Sequence, residues 1–363
     1  MRTFLRLTSI LVGVLSIISI WLLGLGNTPA SPVAVSSVAI ENPIPIAPAI
    51  LETSAPAPAP VATPAPTAII AMPAPVPNPA HESVTALQTD LQSTRIDRTK
   101  PAPPSVPLQP FDSADLYIHL PPDAAARQPL RVLVALHGMG NRGDVFAPRL
   151  ITEADQNGWV LIAPTMRYRD WTDPVQLLQD DLLYTRMVRD TLQVLPERLN
   201  LKLRQRALVI GFSRGVQLAE RLTLFYPERV NSVAVISAGA YTLPSEKKSD
   251  ASGTRVIALP YGVGDMPTHL GKSVNWNAFT KISFWIGVGE RDNRKDDVPR
   301  VFDQYVGHTR IERAQVLLQS LRVLGMDAQL TLFPNTDHEM TAEIIRAATK
   351  FLRDDEIADN LND

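Results

Sequence analysis

Hydrophobic and polar positions divide the chain into three parts of different pattern. Residues 10–26 are uncharged and mostly apolar, and they follow two arginines near the start of the chain. Residues 27–107 show no hydrophobic period. From residue 108 onward, short apolar runs alternate with amphipathic stretches. That alternation predicts one α/β domain over residues 108–354, with a mostly parallel central sheet and helices on both faces. Residues 355–363 are predicted to be a C-terminal tail.

Seven β-branched or continuously apolar runs are the predicted strands. They are Leu116–Leu120, Arg131–Leu136, Trp159–Ala163, Ala207–Gly211, Val233–Ser237, Ile282–Val288 and Gln329–Phe333. Amphipathic stretches between them predict helices, one of which starts at the capping-box sequence Thr309-Arg-Ile-Glu312. The Gly- and Trp-containing span 241–281 has no clear period and is a candidate lid or pocket wall.

The first 26 residues have the pattern of a signal peptide or a membrane anchor. The apolar run 10–26 is about as short as a bilayer-crossing helix can be, and slightly long for a signal peptide. Arg2 and Arg6 precede it, which predicts export of the rest of the chain. Cleavage after Ala30 and retention as an anchor stay open, so the protein is expected to be extracytoplasmic, either membrane-anchored or secreted.

Residues 27–107 are rich in Pro and Ala and are predicted to be a disordered linker. Proline removes a backbone donor and fixes φ, which disfavours both helix and central strand. An extended, semi-rigid tether is therefore expected. A ligand for a proline-binding module is the alternative to a plain spacer.

Composition excludes several classes of function. The chain has 35 Lys+Arg against 37 Asp+Glu, a formal net charge of −2, which gives no electrostatic case for a nucleic-acid partner. It has no Cys, so disulfides, cysteine-ligated metals and thiol catalysis are excluded. No metal-ligand motif and no phosphate-binding loop is present, and we therefore predict no cofactor and no metal.

The sequence Gly211-Phe-Ser213-Arg-Gly215 joins a predicted strand to a predicted helix. G-x-S-x-G in this context is typical of a strained turn that exposes a nucleophilic serine at the carboxyl edge of a sheet. Ser213 is therefore the candidate nucleophile. An ordinary turn with a helix-capping serine is the alternative.

A nucleophilic serine needs a general base and an orienting carboxylate. His338 follows the last predicted strand and is the candidate base. The acid should lie between nucleophile and base in the chain, and Asp292, directly after strand 282–288, fits best. Asp296 and Asp297 are alternatives, and Asp337 is a weaker one.

The strand 131–136 ends in His137-Gly-Met139-Gly140. A glycine-rich turn there can present a backbone N–H to a tetrahedral oxyanion, and Met139 and Arg214 are the candidate oxyanion-hole residues. His137 is interpreted as a buried support for the loop in preference to a catalytic group. The Arg214 side chain could meet an anionic substrate or pair with a local carboxylate.

Aromatic residues are expected in the loops at the carboxyl edge of the sheet, where ligands bind in open α/β sheets. The candidates for substrate binding are Tyr168, Trp171, Tyr241 and Trp276. Ordinary loop packing is the alternative for each.

These motifs resemble the α/β-hydrolase superfamily over about residues 116–352. Within it, they are similar to bacterial serine esterases related to polyhydroxybutyrate depolymerases and feruloyl esterases. The resemblance implies an α/β-hydrolase fold and carboxylic-ester cleavage. Two features depart from it: Asp337 replaces a glycine common before the histidine, and the Cys pairs of many secreted depolymerases are absent. The segment from Asp297 to Arg313 also resembles uncharacterised members, with no role assigned.

Three functional hypotheses follow. The first is an exported serine hydrolase acting on a small-molecule or polymer ester through Ser213, His338 and Asp292. The second is an acyltransferase that uses the same triad. The third, from a different class, is a non-catalytic surface-binding domain on a stalk. A membrane is an expected partner only if the N-terminal segment is not cleaved.

Overall fold

The computed structural model describes residues 107–250 and 253–362. The predicted signal peptide or anchor, and the linker up to residue 106, lie outside the described residues. Within the described part, every helix is too short or too polar to traverse a lipid bilayer.

The described chain forms a seven-stranded central sheet and a separate two-stranded hairpin. In the chain, the hairpin comes between the fifth and sixth strands of the central sheet. The strands are β1 (Leu116–His119), β2 (Val132–Leu136), β3 (Val160–Pro164), β4 (Ala207–Phe212), β5 (Val230–Ile236), β6 (Lys247–Asp250), β7 (Gly253–Val256), β8 (Ser283–Gly289) and β9 (Ala328–Phe333). The central order is β1-β3-β2-β4-β5-β8-β9. All its neighbouring pairs are parallel except β1 with β3. The predicted α/β class with a mostly parallel sheet is confirmed.

Helices cover both faces of this sheet. They are α1 (Gly143–Phe146), α2 (Ile151–Asn157), α3 (Pro174–Leu199), α4 (Arg214–Phe225), α5 (Met266–Leu270), α6 (Trp276–Phe279), α7 (Asp303–Val306), α8 (Arg310–Val323) and α9 (Ala342–Asn362). Side chains alternate along each strand, so Val132 and Val134 pack in the core shared with α3, α4 and α8. Leu133 and Ala135 pack in the core shared with α1, α2 and α9.

The hairpin β6–β7 lies within the span predicted to be irregular. Its two strands pair antiparallel, from Lys247 opposite Val256 to Asp250 opposite Gly253. The described β7 side chains are exposed. A hairpin with no buried face has no hydrophobic alternation, which is why its sequence carried no strand signal.

The predicted tail 355–363 is wrong as a separate segment, because α9 continues through it to Asn362. Asp355 accepts a hydrogen bond from Asn231 Nδ2 at 2.7 Å, and Glu356 accepts one from Trp159 Nε1 at 2.6 Å. Asn231 and Trp159 lie at the amino ends of β5 and β3. The charged sequence of the C-terminal segment does not reveal such long-range partners.

Candidate active site

Ser213 occupies a strained turn between β4 and α4. Its φ is 55° and its ψ is −116°, outside the regions that a non-glycine residue usually adopts. The turn also brings backbones unusually close: a Cβ on Gly215 would lie 2.1 Å from the carbonyl oxygen of Leu136. Only glycine fits there without a backbone shift. The sequence G-x-S-x-G thus holds Ser213 at the carboxyl edge of the sheet.

Three predicted residues from three loops meet at this edge. His338 Nε2 lies 2.9 Å from Ser213 Oγ, and His338 Nδ1 lies 2.7 Å from Asp292 Oδ2. Asp292 follows β8 and is fully buried. His338 follows β9, and its ring stacks on Phe212 with centroids 5.0 Å apart. The arrangement is a continuous hydrogen-bonded row of hydroxyl, imidazole and carboxylate.

The three alternative carboxylates are not the ones hydrogen-bonded to the ring of His338, since Asp292 holds that position. Asp296 and Asp297 line the cavity in front of Ser213, and Asp297 pairs with Arg294. Asp337 accepts a hydrogen bond from the backbone N–H of His338 at 2.8 Å, so its carboxylate binds the main chain of His338 and not its ring.

A buried arginine, which sequence reasoning did not single out, completes the environment of Asp292. Arg310 Nη1 donates to Asp292 Oδ1 at 2.8 Å. Burial disfavours the charged carboxylate, but the hydrogen bond with His338 and the charge of Arg310 outweigh it, so the pKa of Asp292 is lowered. The signal in the sequence was the capping segment at Thr309, which places Arg310 at the first position of α8.

Met139 and Arg214 share the cavity with Ser213, and Met139 is 37% exposed. Arg214 is the first residue of α4, so its N–H belongs to the helical turn that has no intrahelical acceptor. Gly140, with φ of 71°, shapes the turn that carries Met139.

His137 is fully buried, and backbone groups meet both of its ring nitrogens. Its Nδ1 lies 2.7 Å from the carbonyl oxygen of Gly138, and its Nε2 accepts the N–H of Met166 at 2.9 Å. Burial lowers the pKa of His137. A neutral imidazole held by two loops has the geometry of a structural support.

The cavity beside Ser213 has a volume of about 270 Å³. Its lining residues are Met139, Trp171, Ser213, Arg214, Gln217, Gly239, Asp296, Asp297, Arg310 and His338. Of the four predicted aromatic residues, all within the described chain, Trp171 is the one that lines it. Apolar side chains therefore form part of the wall, and buried polar side chains from α4 and α8 form another part.

The other three aromatic predictions need correction. Tyr168 lies beneath the guanidinium of Arg214, 4.5 Å from ring centroid to Cζ, and therefore supports that side chain. Tyr241 is fully buried in the core and presents no surface to a ligand. Trp276 starts α6, just before β8, and α6 contacts the turn 227–229 that leads into β5. It lies at the amino edge because its loop leads into a strand instead of leaving one.

The Arg214 side chain pairs with a local carboxylate, one of the two possibilities left open. Its Nη2 donates to Asp181 Oδ1 at 2.8 Å, and both groups are buried. Arg221 binds the other oxygen of the same carboxylate. Asp181, on α3, is a second residue that the sequence pattern did not reveal, since an acidic residue in a helix usually faces solvent.

Comparison with known proteins supports the fold. No protein-family model and no curated protein matches the chain. A solved structure of poly(aspartic acid) hydrolase-1 from Sphingomonas sp. KT-1 matches with 18% identity and a TM-score of 0.51, covering 65% of this chain and 92% of that one. A Bacillus cereus carboxylesterase matches with 13% identity and a TM-score of 0.44, covering 66% and 93%. At this identity the first likeness shows a shared fold.

In the described part of the chain, no group of three or more His, Asp or Glu side chains is arranged to hold a metal ion.

Proposed function

We propose that this chain, which has the α/β-hydrolase fold, is a serine hydrolase that cleaves a carboxylic ester. The observation that carries the proposal is the row Ser213–His338–Asp292, with contacts of 2.9 Å and 2.7 Å, opening into a cavity. The preference for an ester rests on the resemblance of the sequence motifs to bacterial serine esterases.

The first half of the reaction forms an acyl-enzyme. His338 Nε2 takes the proton of Ser213 as its Oγ attacks the ester carbonyl carbon. The carbonyl oxygen becomes an oxyanion, for which the N–H groups of Met139 and Arg214 are the proposed donors. Collapse of this intermediate breaks the bond to the alcohol oxygen, and His338 returns its proton to the leaving alcohol.

The second half regenerates the enzyme. Water attacks the acyl carbonyl carbon while His338 removes a proton from it, and Ser213 Oγ leaves with the proton that His338 then gives back. Asp292 holds the Nδ1–H tautomer throughout and stabilises the imidazolium that forms in each half.

The proposal includes location. We propose that the domain works outside the cytoplasm, either tethered by residues 27–107 to an N-terminal anchor or released after cleavage. Its substrate would then be a small-molecule or polymer ester accessible there.

The test uses the full-length chain in mild detergent with a fluorophosphonate probe and a panel of p-nitrophenyl esters. Ser213→Ala is expected to abolish labelling and to lower ester hydrolysis by roughly 10³-fold or more, because the nucleophile is absent. The matched control is Ser320→Ala, whose hydroxyl donates within α8 to the carbonyl of Val316. This variant should label like the parent.

Two results would change the assignment. Equal labelling and equal ester hydrolysis in the parent and Ser213→Ala would contradict the mechanism and favour a non-catalytic binding domain. Transfer of the acyl group to an added alcohol in preference to water, seen by product analysis, would identify an acyltransferase.

A further inference from the structure

Arg310 contacts two parts of the site with one guanidinium. Its Nη1 donates to Asp292 Oδ1 at 2.8 Å, and its Nη2 donates to the backbone carbonyl of Asp297 at 2.8 Å. Its side chain is 6% exposed, and it lines the cavity beside Ser213. The carboxylate of Asp292 and one wall of the cavity therefore share a single anchor.

This contact fixes the orientation of the carboxylate. Asp292 has two oxygens, and only Oδ2 faces the ring of His338. A buried carboxylate held by one hydrogen bond can rotate and release the imidazole. With Oδ1 held by Arg310, rotation would break a charge-assisted hydrogen bond in a buried site, where such bonds are strong.

The start of α8 is itself firmly held, so Arg310 is a rigid anchor. Thr309 caps the helix by accepting the N–H of Glu312 at 3.2 Å. Arg313 is fully buried and donates to the carbonyl oxygens of Gly239, Gly307 and Pro299, and to the carboxylate of Asp303. The loops after β5 and β8 are thus tied to the same helical turn.

We propose that Arg310 is a positioning residue that acts through Asp292, orienting the carboxylate toward His338 while fixing the cavity wall at Asp297. The inference rests on the proposed serine-hydrolase function. It assigns a task to the segment between Asp297 and Arg313, which the sequence pattern marked without a role.

A purely structural role makes different predictions. Arg310 could merely neutralise a buried charge and hold the loop after β8, in which case its removal would lower the melting temperature and the active fraction. A positioning role acts only while the Asp292 carboxylate is present. It also changes how the rate depends on pH, because the carboxylate loses its cationic neighbour.

The experiment is a double-mutant cycle on the full-length chain, with the rate of fluorophosphonate labelling and p-nitrophenyl ester kcat/KM as readouts. Arg310→Met and Arg310→Lys are made in the parent and in Asp292→Asn. Arg322→Met, on the same helix and donating to the carbonyl of Ala328, is the matched control. Melting temperatures of all variants are measured alongside.

In the parent background, Arg310→Met should lower both rates by roughly 10- to 100-fold, mainly in kcat, as expected for loss of a hydrogen bond to a buried charge. In Asp292→Asn the same change should cost less than about threefold. Arg310→Lys keeps the charge but cannot hold both partners in the same geometry, so a smaller loss of roughly three- to tenfold is expected.

The pH profile separates charge from geometry. The titratable or charged groups around Asp292 are His338, Arg310, the buried phenol of Tyr241 and, farther out, Arg294. Without Arg310 the triad loses the nearby cation that opposes proton uptake, so the acid limb of the rate profile should move to higher pH in Arg310→Met. It should stay near the parental position in Arg310→Lys.

Equal losses in both backgrounds, or an unshifted acid limb in Arg310→Met, would overturn the positioning role. If Arg310→Met does not fold, Arg310→Lys decides: a parental rate would overturn the proposal, and a reduced rate with an unshifted limb would support it. Failure of the proposed function is recognised separately, because Ser213→Ala would then behave like the parent.

Discussion

Each edge of the central sheet has arginine–aspartate ion pairs, but the pairs hold different things in place. At the amino edge, Arg131 and Arg206 pair with Asp359 of α9, beside a cavity of about 420 Å³. At the carboxyl edge, Arg310 pairs with Asp292 beside a cavity of about 270 Å³. The larger cavity is the one without a nucleophile.

The difference between the edges lies in what the charges hold. At the amino edge the ion pairs connect a helix to the beginnings of strands, which is a structural role only. At the carboxyl edge they hold Asp292, which holds His338, which meets a serine in a strained turn. Strain and a chain of oriented groups mark a functional site better than cavity volume does.

The largest expected effect is at the carboxyl edge. Asp292→Asn should lower ester kcat/KM by roughly 10³- to 10⁴-fold, because the amide no longer holds the imidazole in its active tautomer. Glu290→Gln, an exposed carboxylate in the same loop that does not line the cavity, is the control and should stay within about threefold of the parent. A comparable loss in both variants would mean that the loop, and not the carboxylate, is what matters.

At the amino edge we expect a loss of stability with little change in activity. Arg131→Met should lower the free energy of unfolding by about 1–3 kcal/mol, since it breaks a largely buried ion pair with Asp359. Ester kcat/KM, normalised to folded protein, should change less than about twofold. Urea unfolding followed by tryptophan fluorescence, together with the ester assay, measures both. A drop in normalised activity would contradict the separation of the two edges.

Glu220, on α4, tests whether a buried ionisable carboxyl makes the stability of the protein depend on pH. Its carboxyl is 1% exposed and accepts the N–H of Thr242 at 3.1 Å. Burial raises the pKa of Glu220 to about 8, although Arg221 opposes the shift. The folded protein therefore binds a proton that the unfolded chain releases near its ordinary pKa, and stability falls as pH rises from about 4.5 to about 8.

Glu220→Gln should remove that part of the pH dependence. We expect the variant to match the parent near pH 4.5 and to exceed its free energy of unfolding by the order of 1 kcal/mol near pH 8. Urea unfolding at several pH values makes the comparison. Parallel curves for the two proteins would show that burial does not raise the pKa of Glu220.

The smallest expected effect is at Asp337. Its side chain is half exposed. Its one hydrogen bond to a residue of the triad is with the backbone N–H of His338. Asp337→Ala should change ester kcat/KM by less than about threefold, because solvent can replace an exposed acceptor. A loss above about tenfold would make Asp337 part of the orienting machinery and weaken the contrast drawn with Asp292.

The central strands and the order of the candidate triad could be read from the sequence, for a physical reason. Continuous apolar runs such as Val132–Leu136 are buried on both faces, so their composition alone marks them. Residues that follow parallel strands share one edge of the sheet. Ser213, Asp292 and His338 therefore could be placed together without knowledge of strand order.

What sequence could not provide depends on long-range packing. Trp276 and Tyr241 lie in a span whose path is set by tertiary contacts, and neither reaches the cavity. Arg310 and Asp181 look like ordinary charged helix residues until the partner across the fold is known. The antiparallel position of β1 beside β3 likewise depends on pairing between distant segments.

Helix α9 also bears on how the protein can be handled. It starts close after His338 and runs for 21 residues, about 30 Å at 1.5 Å per residue, to the amino edge of the sheet, where Asp359 meets Arg131. Ile357 is 52% exposed near its far end, and the chain has no native thiol. An Ile357→Cys variant would therefore carry a unique attachment point for a dye or a solid support, with the serine left facing the solution.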